Sequence, residues 1–314
     1  MKKEEMIAAD VFQQYGLNFQ TAVRAGGWTN AVWLNGDFAL RVSLQRDNDR
    51  IGREVQLSKL LPKDVGYPQN IQTGMTDGFE WSLSKRVSGQ PLSEVWDSLK
   101  WTQRISAVRQ IVDIVKSVHT ADIGKAESWA KKTAWYNEFS EEKSMADTER
   151  YIEQGLLTDE QGCQMRKILK RFYEAHFTAK PVLNHGDITM DNLLWHEGNV
   201  VSLMDFEHSV IAPPELDYHS LVNLTFLPTE DRLLTRSDGD ETSEYLDAVS
   251  RMITPLFSRP ESADLILGYS ILFRQRFLEF WLDNPKGDIS QVDAYVKLCS
   301  LIDGNKGYIS SILQ

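Results

Sequence analysis

This chain of 314 residues has few cysteines and few basic residues, and both shortages exclude classes of protein before any motif is considered. It has only two cysteines, Cys163 and Cys299, which are too few for a disulfide framework and have no metal-ligand spacing. Lysine and arginine total 34 against 45 aspartates and glutamates, which gives a net charge of −11. Nucleic-acid binding needs a basic patch on the protein. This charge balance therefore argues against a nucleic-acid partner.

Long apolar runs are also missing. The densest one, at 265–273, is too short to span a bilayer. Glu4 and Glu5 stand where a signal peptide would need an apolar region, and the low cysteine content favours a reducing compartment. We therefore expect a cytoplasmic protein without a membrane partner. Hydrophobic residues make up 42% of the chain, which predicts a folded chain rather than a disordered one.

The patterning changes along the chain, and the change predicts two lobes. Before residue 88, short apolar segments alternate with turns, including the hairpin signal Asn35-Gly36. After a turn-rich linker at 86–91, helical periodicity dominates. The fold class is therefore α+β, with an N-lobe at 1–87 and a C-lobe at 88–314. Strands are predicted at 19–24, 30–34, 38–43, 69–73 and 79–85, and helices at 48–61, 101–119, 134–154, 159–178, 215–226, 241–256, 261–284 and 288–312.

The strongest chemical signal lies between residues 185 and 205. His185-Gly186-Asp187 is followed by Asn192 and then by Asp205 on the next predicted hairpin. Phosphoryl transfer needs a base for the acceptor hydroxyl and hard oxygen ligands for Mg²⁺ beside the triphosphate. The spacing matches the kinase pattern H-x-D-x-x-x-x-N followed by D-F-x. A turn capped by His185 and Asp187 is the alternative interpretation, and the matching positions of Asn192 and Asp205 argue against it.

These segments resemble the aminoglycoside phosphotransferase family, which shares the protein-kinase-like fold and includes choline-kinase-like enzymes. Pro213-Pro214-Glu215-Leu216-Asp217 extends the resemblance. It implies a bilobal fold, with a small mixed sheet for the nucleotide and a large helical lobe for the acceptor. It also implies ATP or GTP as phosphate donor and Mg²⁺ as cofactor.

The same resemblance implies roles for individual residues. Asp187 would be the catalytic base, and Asn192 and Asp205 would be the magnesium ligands. His185 and Asp217 would brace the catalytic loop through hydrogen bonds instead of reacting.

The N-lobe carries a second sign of a nucleotide site. Gly26, Gly27 and Asn30 form the G-G-x-x-N pattern of the family's nucleotide loop, which departs from the G-x-G-x-x-G of protein kinases. Glycine lets a backbone approach phosphate oxygens without a clashing Cβ. Two adjacent glycines alone also suit an ordinary hairpin turn, so this loop supports the site only together with the motifs above.

Four further residues complete the predicted nucleotide site. Arg41 aligns with the lysine of the kinase V-A-I-K strand, and Glu54 in the following helix is its expected ion-pair partner. The alternative for this pair is a solvated ion pair at the surface. Lys85 and Val87 lie in the segment that resembles the adenine-binding hinge.

The expected function is ATP- or GTP-dependent transfer of the γ-phosphate to a hydroxyl of a small molecule, with an aminoglycoside-like or other antibiotic as one acceptor class. A metabolite kinase for choline, an amino alcohol, a sugar or homoserine is the alternative within this class. A non-catalytic nucleotide-binding regulator is disfavoured, because Asp187, Asn192 and Asp205 are all present. The lack of an A-P-E segment disfavours a protein kinase.

Acidic residues near these motifs suggest that the acceptor is cationic. Asp191 lies in the catalytic loop and Glu207 follows the metal turn, and both are candidate acceptor contacts. An acidic cleft concentrates cations. The alternative is that acidic charge only keeps the protein soluble. Further acids occur in the helical region, at Glu138, Glu141, Glu142 and Asp147.

Overall fold

The chain folds into two compact units, which the sequence interleaves. Unit 1 comprises Met1–Leu99, Gly124–Ala130 and Met190–Glu207, and unit 2 comprises the remaining segments. The division of the lobes after residue 87 stays a prediction. A computed structural model describes residues 1–27, 29–46, 48–131, 140–233, 239–283 and 289–304.

Strands and helices alternate early and helices dominate later. The strands are β1 (Val23–Ala25), β2 (Asn30–Asn35), β3 (Phe38–Arg46), β4 (Asn70–Thr76), β5 (Phe79–Lys85), β6 (Gln90–Pro91), β7 (Val182–Asn184), β8 (Leu193–His196), β9 (Asn199–Leu203) and β10 (Val210–Ala212). The helices are α1 (Lys3–Gln14), α2 (Arg50–Ser58), α3 (Leu92–Val95), α4 (Trp101–Val118), α5 (Ile123–Ala126), α6 (Glu141–Glu153), α7 (Asp159–Thr178), α8 (Glu215–Leu233), α9 (Gly239–Ile253), α10 (Ser262–Asp283) and α11 (Ile289–Ile302).

Unit 1 is organised around a five-stranded antiparallel sheet with the order β1-β2-β3-β5-β4. The predicted Asn35-Gly36 hairpin joins β2 to β3, and Gly36 has the positive φ of 55° that such a turn requires. Leu40 and Leu83 from neighbouring strands are fully buried in the core beneath this sheet. Strand β3, which carries Arg41, is therefore held rigidly in the middle of the sheet.

Two features at the start of unit 1 differ from the predicted elements. The predicted strand at 19–24 begins as a 3₁₀ turn at Phe19–Thr21, because the side chain of Asn18 accepts a hydrogen bond from the N–H of Gln20 and favours a turn. Helix α1 has no predicted counterpart. Its apolar face was nevertheless present in the sequence at helical spacing, and it packs into the sheet core through Ile7, Ala8, Val11 and Phe12.

Unit 1 also contains the β8–β9 hairpin. Leu193 pairs with Leu203 at the open end of the hairpin, opposite its turn. Strand β6 pairs with β8 and completes a three-stranded sheet. The segment at Lys63–Val65 ends at Gly66, where a Cβ would lie 2.0 Å from the carbonyl oxygen of Val201 on β9. Only glycine allows this close backbone approach.

Unit 2 is mainly helical. Helix α7 coincides with its predicted range, and Thr158 and Gln161 form a capping box at its start. The predicted helix at 134–154 is described only as α6, which begins after Ser140, and its residues 134–139 lie outside the described residues. Strands β7 and β10 form a small antiparallel pair that carries the catalytic-loop motif. No helix in the described ranges is long and apolar enough to cross a membrane.

Candidate active site

The glycine loop of unit 1 connects β1 to β2. A Cβ on Gly27 would lie 2.3 Å from the carbonyl oxygen of Asn30, so the tight path of the loop excludes a side chain there, whereas a Cβ on Gly26 would meet nothing within 4 Å. Asn30 is buried, and its amide donates to the hydroxyl of Thr29 at 3.1 Å. Trp28 lies outside the described residues. The loop thus exposes a backbone without side chains at two successive positions, and its role in phosphate binding stays a prediction.

Arg41 lies at the centre of a charged group in unit 1. Its Nη1 is 2.8 Å from Oε2 of Glu54, and its Nη2 is 3.4 Å from Oδ1 of Asp205. The ion pair expected from the sequence is therefore present, and the Glu54 side chain is only 1% exposed, so it is not a solvated surface pair. Burial by itself would lower the pKa of Arg41, but the carboxylates of Glu54 and Asp205 outweigh it and raise that pKa.

The second oxygen of Glu54 is also occupied. Oε1 accepts a hydrogen bond from the backbone N–H of Phe206 at 3.0 Å and from the hydroxyl of Tyr67 at 2.8 Å. We call Arg41, Glu54, Tyr67 and Asp205 the Arg41 cluster. Within it, the Glu54 carboxylate on α2 connects β3, the loop that carries Tyr67 and the segment after β9.

Glu80 anchors the helix that carries Glu54. Its two carboxylate oxygens accept hydrogen bonds from the N–H groups of Ile51 and Gly52 at 3.0 and 3.1 Å, at the first turn of α2. A carboxylate at this end also interacts favourably with the helix dipole. Burial raises the pKa of Glu80 despite these hydrogen bonds. The sequence pattern had no signal for this contact, because Glu80 lies on β5 and reaches α2 only in the folded unit.

The two predicted magnesium ligands flank the β8–β9 hairpin. Asn192 immediately precedes β8 and Asp205 follows β9, and the N–H of Met204 donates to the carbonyl of Asn192 at 2.8 Å. Asp205 has a φ of 66°, an uncommon conformation for a residue other than glycine. Its side chain is 35% exposed, so it is accessible to a cation. Hairpin pairing therefore brings the two backbone segments together.

The donor set fits Mg²⁺ held jointly with a nucleotide. No group of three or more histidines, cysteines, aspartates or glutamates that could hold a metal occurs in the described ranges. Mg²⁺ commonly takes one or two protein oxygen ligands and completes its shell with phosphates and water. One carboxylate and one carboxamide on a shared hairpin match that requirement.

The two candidate acceptor contacts both have local partners in unit 1. Glu207 is 2% exposed, and its Oε1 lies 3.7 Å from Nη1 of Arg50, while Arg53 donates to its carbonyl oxygen at 3.0 Å. This burial favours a role in holding the segment after Asp205 against α2. Asp191 is exposed and accepts a hydrogen bond from the hydroxyl of Ser93. Of the two, Asp191 alone retains exposed surface.

The catalytic-loop motif of unit 2 is built around a buried carboxylate. Asp217 is fully buried, and its two oxygens accept hydrogen bonds from the N–H groups of His185 and Gly186 at 2.8 and 2.9 Å. Nε2 of His119 lies 3.0 Å from Oδ2 of the same carboxylate. We call these four residues the Asp217 brace. His119 thus has a hydrogen-bonded, structural position beside the loop.

The position of Asp187 follows from this brace. Its N–H donates to Nδ1 of His185 at 3.2 Å, and its own side chain is half-buried, which leaves it accessible. A Cβ on Gly186 would lie 2.4 Å from the carbonyl oxygen of His208, and the φ of Gly186 is 84°. Asn184 ties the loop to β10 by donating to the carbonyl of Ala212 at 2.8 Å. These contacts therefore fix the backbone conformation of the turn before Asp187.

The predicted hinge begins where β5 ends. Lys85 is exposed, and its N–H donates to the carbonyl of Gln69 at 2.9 Å, while the N–H of Arg86 donates to the carbonyl of Asp37 at 2.8 Å. Val87 is half-buried in the segment before β6. The contact of Lys85 and Val87 with adenine stays a prediction.

Glu215 is a further buried carboxylate of unit 2. It is fully buried, it pairs with the guanidinium of Arg259, and it accepts a hydrogen bond from the hydroxyl of Ser262 at 2.6 Å. Because Arg259 and Ser262 are more than 40 residues away in sequence, no local pattern indicated this contact. The pair fixes the start of α8, the helix that also carries Asp217.

Comparison with known proteins places this arrangement in a family. The sequence profile of the phosphotransferase enzyme family matches residues 21–248, which is more than half of the chain. The chain belongs to this phosphotransferase enzyme family. No protein with a curated description is similar enough in sequence to count as a relative.

Solved structures show the same fold at low identity. A thermostable mutant of the aminoglycoside phosphotransferase APH(4)-Ia, in ternary complex with AMP-PNP and hygromycin B, matches with a TM-score of 0.65 and 13% identity, covering 96% of this chain and 99% of that one. The GDP complex of wild-type aminoglycoside 2'-phosphotransferase-IIIa matches with a TM-score of 0.63 and 18% identity, covering 97% and 100%. The predicted α+β, kinase-like fold class is thereby confirmed.

Family membership also confirms the enzyme class expected from the motifs. The chain is a phosphotransferase of this family, whose members transfer phosphate to hydroxyl groups of small molecules.

Proposed function

We propose that this chain transfers the γ-phosphoryl group of ATP or GTP to a hydroxyl of a small polyhydroxylated molecule of the aminoglycoside type. The observation that carries the proposal is the Arg41 cluster, in which a buried glutamate orients an arginine beside the aspartate predicted to bind Mg²⁺. Arginine stays protonated and binds phosphate oxygens in a forked geometry. The cluster is thus suited to binding a triphosphate.

In this reaction the chain's own residues bind, orient and move a proton. Arg41 and the backbone of the glycine loop hold the phosphates, and Asn192 and Asp205 hold Mg²⁺, which neutralises charge on the triphosphate when it is bound. Asp187 orients the acceptor hydroxyl and takes its proton. A bond forms between the acceptor oxygen and the γ-phosphorus, the bond from that phosphorus to the nucleoside diphosphate breaks, and the diphosphate leaves.

Support for the acceptor class is of two kinds. Two of the similar solved structures hold hygromycin B or kanamycin, which are aminoglycosides. Among the acids of α6, Glu141 and Glu142 are exposed, whereas Asp147 is already paired with Lys143 at 2.6 Å, and Glu138 lies outside the described residues. A cationic acceptor is therefore proposed chiefly from these solved structures, and Asp191 is the candidate contact nearest to the catalytic base in sequence. The unpaired thiols of both cysteines suit the cytoplasm, where we place the reaction.

The test is a transfer screen with a matched pair of variants. The chain is incubated with MgATP or MgGTP and a panel of aminoglycosides, other antibiotics, choline, amino alcohols, sugars and homoserine, and products are detected by mass spectrometry. For an accepted compound, Asp187→Asn is expected to lower turnover by about a hundredfold or more, because a carboxamide cannot take the proton. Nucleotide affinity measured by calorimetry should persist. Asp113→Asn, at an exposed position of α4, is the control.

Two results would contradict the proposal. Near-normal turnover by folded Asp187→Asn would remove Asp187 as base, and a wild-type chain that binds neither nucleotide would remove the function itself. Repeating the assay at two salt concentrations tests the acceptor's charge. A cationic acceptor should lose apparent affinity as salt rises, because ions screen the field of the acidic protein.

A further inference from the structure

Tyr67 lies outside every motif that identified the site, yet it contacts the residues that build it. Its hydroxyl donates to Oε1 of Glu54 at 2.8 Å, and its ring packs edge-on against Phe206 with 5.7 Å between the ring centres. Phe206 directly follows Asp205. One side chain thus touches both the glutamate that orients Arg41 and the residue beside the proposed metal ligand.

The two oxygens of Glu54 have separate partners. Oε2 faces Arg41 at 2.8 Å, and Oε1 accepts from Tyr67 and from the N–H of Phe206. Because the Glu54 side chain is 1% exposed, water cannot readily replace a lost donor. Without the Tyr67 hydroxyl, Oε1 would keep only the Phe206 bond, and the carboxylate could rotate toward Arg41 and draw the segment after β9 with it.

Tyr67 follows a close backbone approach to β9, the strand that precedes Asp205. The preceding residue, Gly66, has a φ of 69° and approaches β9 so closely that a Cβ would lie 2.0 Å from the carbonyl oxygen of Val201. Val65, one residue earlier, is fully buried. The loop that carries Tyr67 therefore lies directly against β9, and the tyrosine reaches from there to Glu54 on α2.

We propose that Tyr67 is a positioning residue that holds Glu54 and the segment after β9 in register, so that Asp205 is placed for Mg²⁺ whenever Arg41 is placed for phosphate. The inference rests on the proposed function, since it assigns Tyr67 to the same nucleotide site. Burial and the Glu54 carboxylate raise the pKa of Tyr67, so its hydroxyl remains a donor at neutral pH. The residue touches neither substrate and takes no part in proton transfer.

The test compares two tyrosine-to-phenylalanine variants by calorimetry with ATP, with and without Mg²⁺. Tyr67→Phe keeps the ring and removes the hydroxyl. It should lower affinity for MgATP about tenfold, the usual effect of a hydrogen bond to a charged group, while affinity for metal-free ATP should stay within about twofold, since the Arg41 contact to Glu54 remains. Tyr269→Phe is the control, because it removes the hydroxyl of a fully buried tyrosine that contacts His176 in unit 2, at 3.0 Å.

The outcomes separate this inference from the proposed function. Loss of the Mg²⁺-dependent part of binding in Tyr67→Phe but not in Tyr269→Phe supports the positioning role. If Tyr67→Phe loses the same affinity for ATP with and without Mg²⁺, the inference is overturned and the proposed function stays intact. The same holds if the variant loses no affinity although ATP binding by the wild type depends on Mg²⁺. A wild type that binds no ATP or GTP overturns both.

Discussion

Glu54 in unit 1 and Asp217 in unit 2 are both buried carboxylates that accept backbone hydrogen bonds, but they differ in what balances their charge. Glu54 faces the guanidinium of Arg41 at 2.8 Å, whereas Asp217 receives two backbone N–H groups and contacts His119. An arginine can exchange part of its interaction for a phosphate, while backbone donors cannot move without unfolding the loop. The first carboxylate is therefore suited to tuning ligand binding and the second to fixing a loop.

Removing Asp217 should have the largest effect on stability. Asp217→Ala leaves the buried N–H groups of His185 and Gly186 without their acceptor, so the free energy of unfolding should fall by about 3–5 kcal/mol. Urea unfolding followed by tryptophan fluorescence measures this change. Glu149→Gln is the control, since that glutamate forms an exposed ion pair with Arg166, which should contribute less than about 1 kcal/mol. Similar small losses in both variants would contradict the bracing role.

Acid should weaken unit 2 through a buried histidine. Burial, followed by the charge of Arg274, lowers the pKa of His219 from its ordinary 6.5 to about 3. The unfolded chain therefore binds a proton on His219 between pH 6.5 and about 3 that the folded chain does not, and the stability present above pH 6.5 is lost as pH falls through this range. By pH 4 the loss attributable to this residue is on the order of 3 kcal/mol.

His219→Gln tests that assignment, because glutamine keeps a polar group near Asn223 but does not titrate. The variant's free energy of unfolding, measured from pH 7 to pH 4, should fall less steeply than that of the wild type. Parallel slopes would show that other groups cause the acid sensitivity. Unit 1 contains one histidine, His196, and it is exposed. Acid sensitivity that is caused by the burial of a histidine is therefore expected from unit 2 and not from unit 1.

Glu54→Gln should have the smallest effect, and it should act on binding more than on folding. Glutamine keeps an oxygen for Tyr67 and Phe206 but loses the charge opposite Arg41, which would turn toward Asp205, already 3.4 Å away. We expect MgATP affinity to fall about tenfold, an effect of roughly 1.4 kcal/mol. Calorimetry measures it. If Glu54→Gln instead lost as much stability as Asp217→Ala with unchanged affinity, the proposed difference between the two carboxylates would be wrong.

Much of the fold was predictable because its signals are local. Helix α7 repeats apolar residues at helical spacing after a capping box, and the Asn35-Gly36 turn requires the positive φ that Gly36 adopts. Helix α1 had the same kind of signal, at Ile7 and Val11, and was missed. The strand predicted at 19–24 was wrong in its first half because the side chain of Asn18 favours a turn.

The same distinction between local and non-local signals applies to the candidate site. The order His185, Asp187, Asn192 and Asp205 is a covalent property of the chain, so sequence alone predicted an enzyme of this class and a hairpin between Asn192 and Asp205. The acceptor contact assigned to Glu207 rested on charge alone, and its burial beside Arg50 favours a supporting role instead.

Sequence by itself therefore determined the fold class, the reaction class and the candidate reacting groups, because each depends on spacing within a few tens of residues. Tertiary structure alone decided which groups hold those residues in place. Tyr67 on Glu54, Glu80 on the first turn of α2 and Arg259 on Glu215 each join residues from different elements. Such contacts depend on how strands and helices pack, and the burial that this packing produces strengthens them.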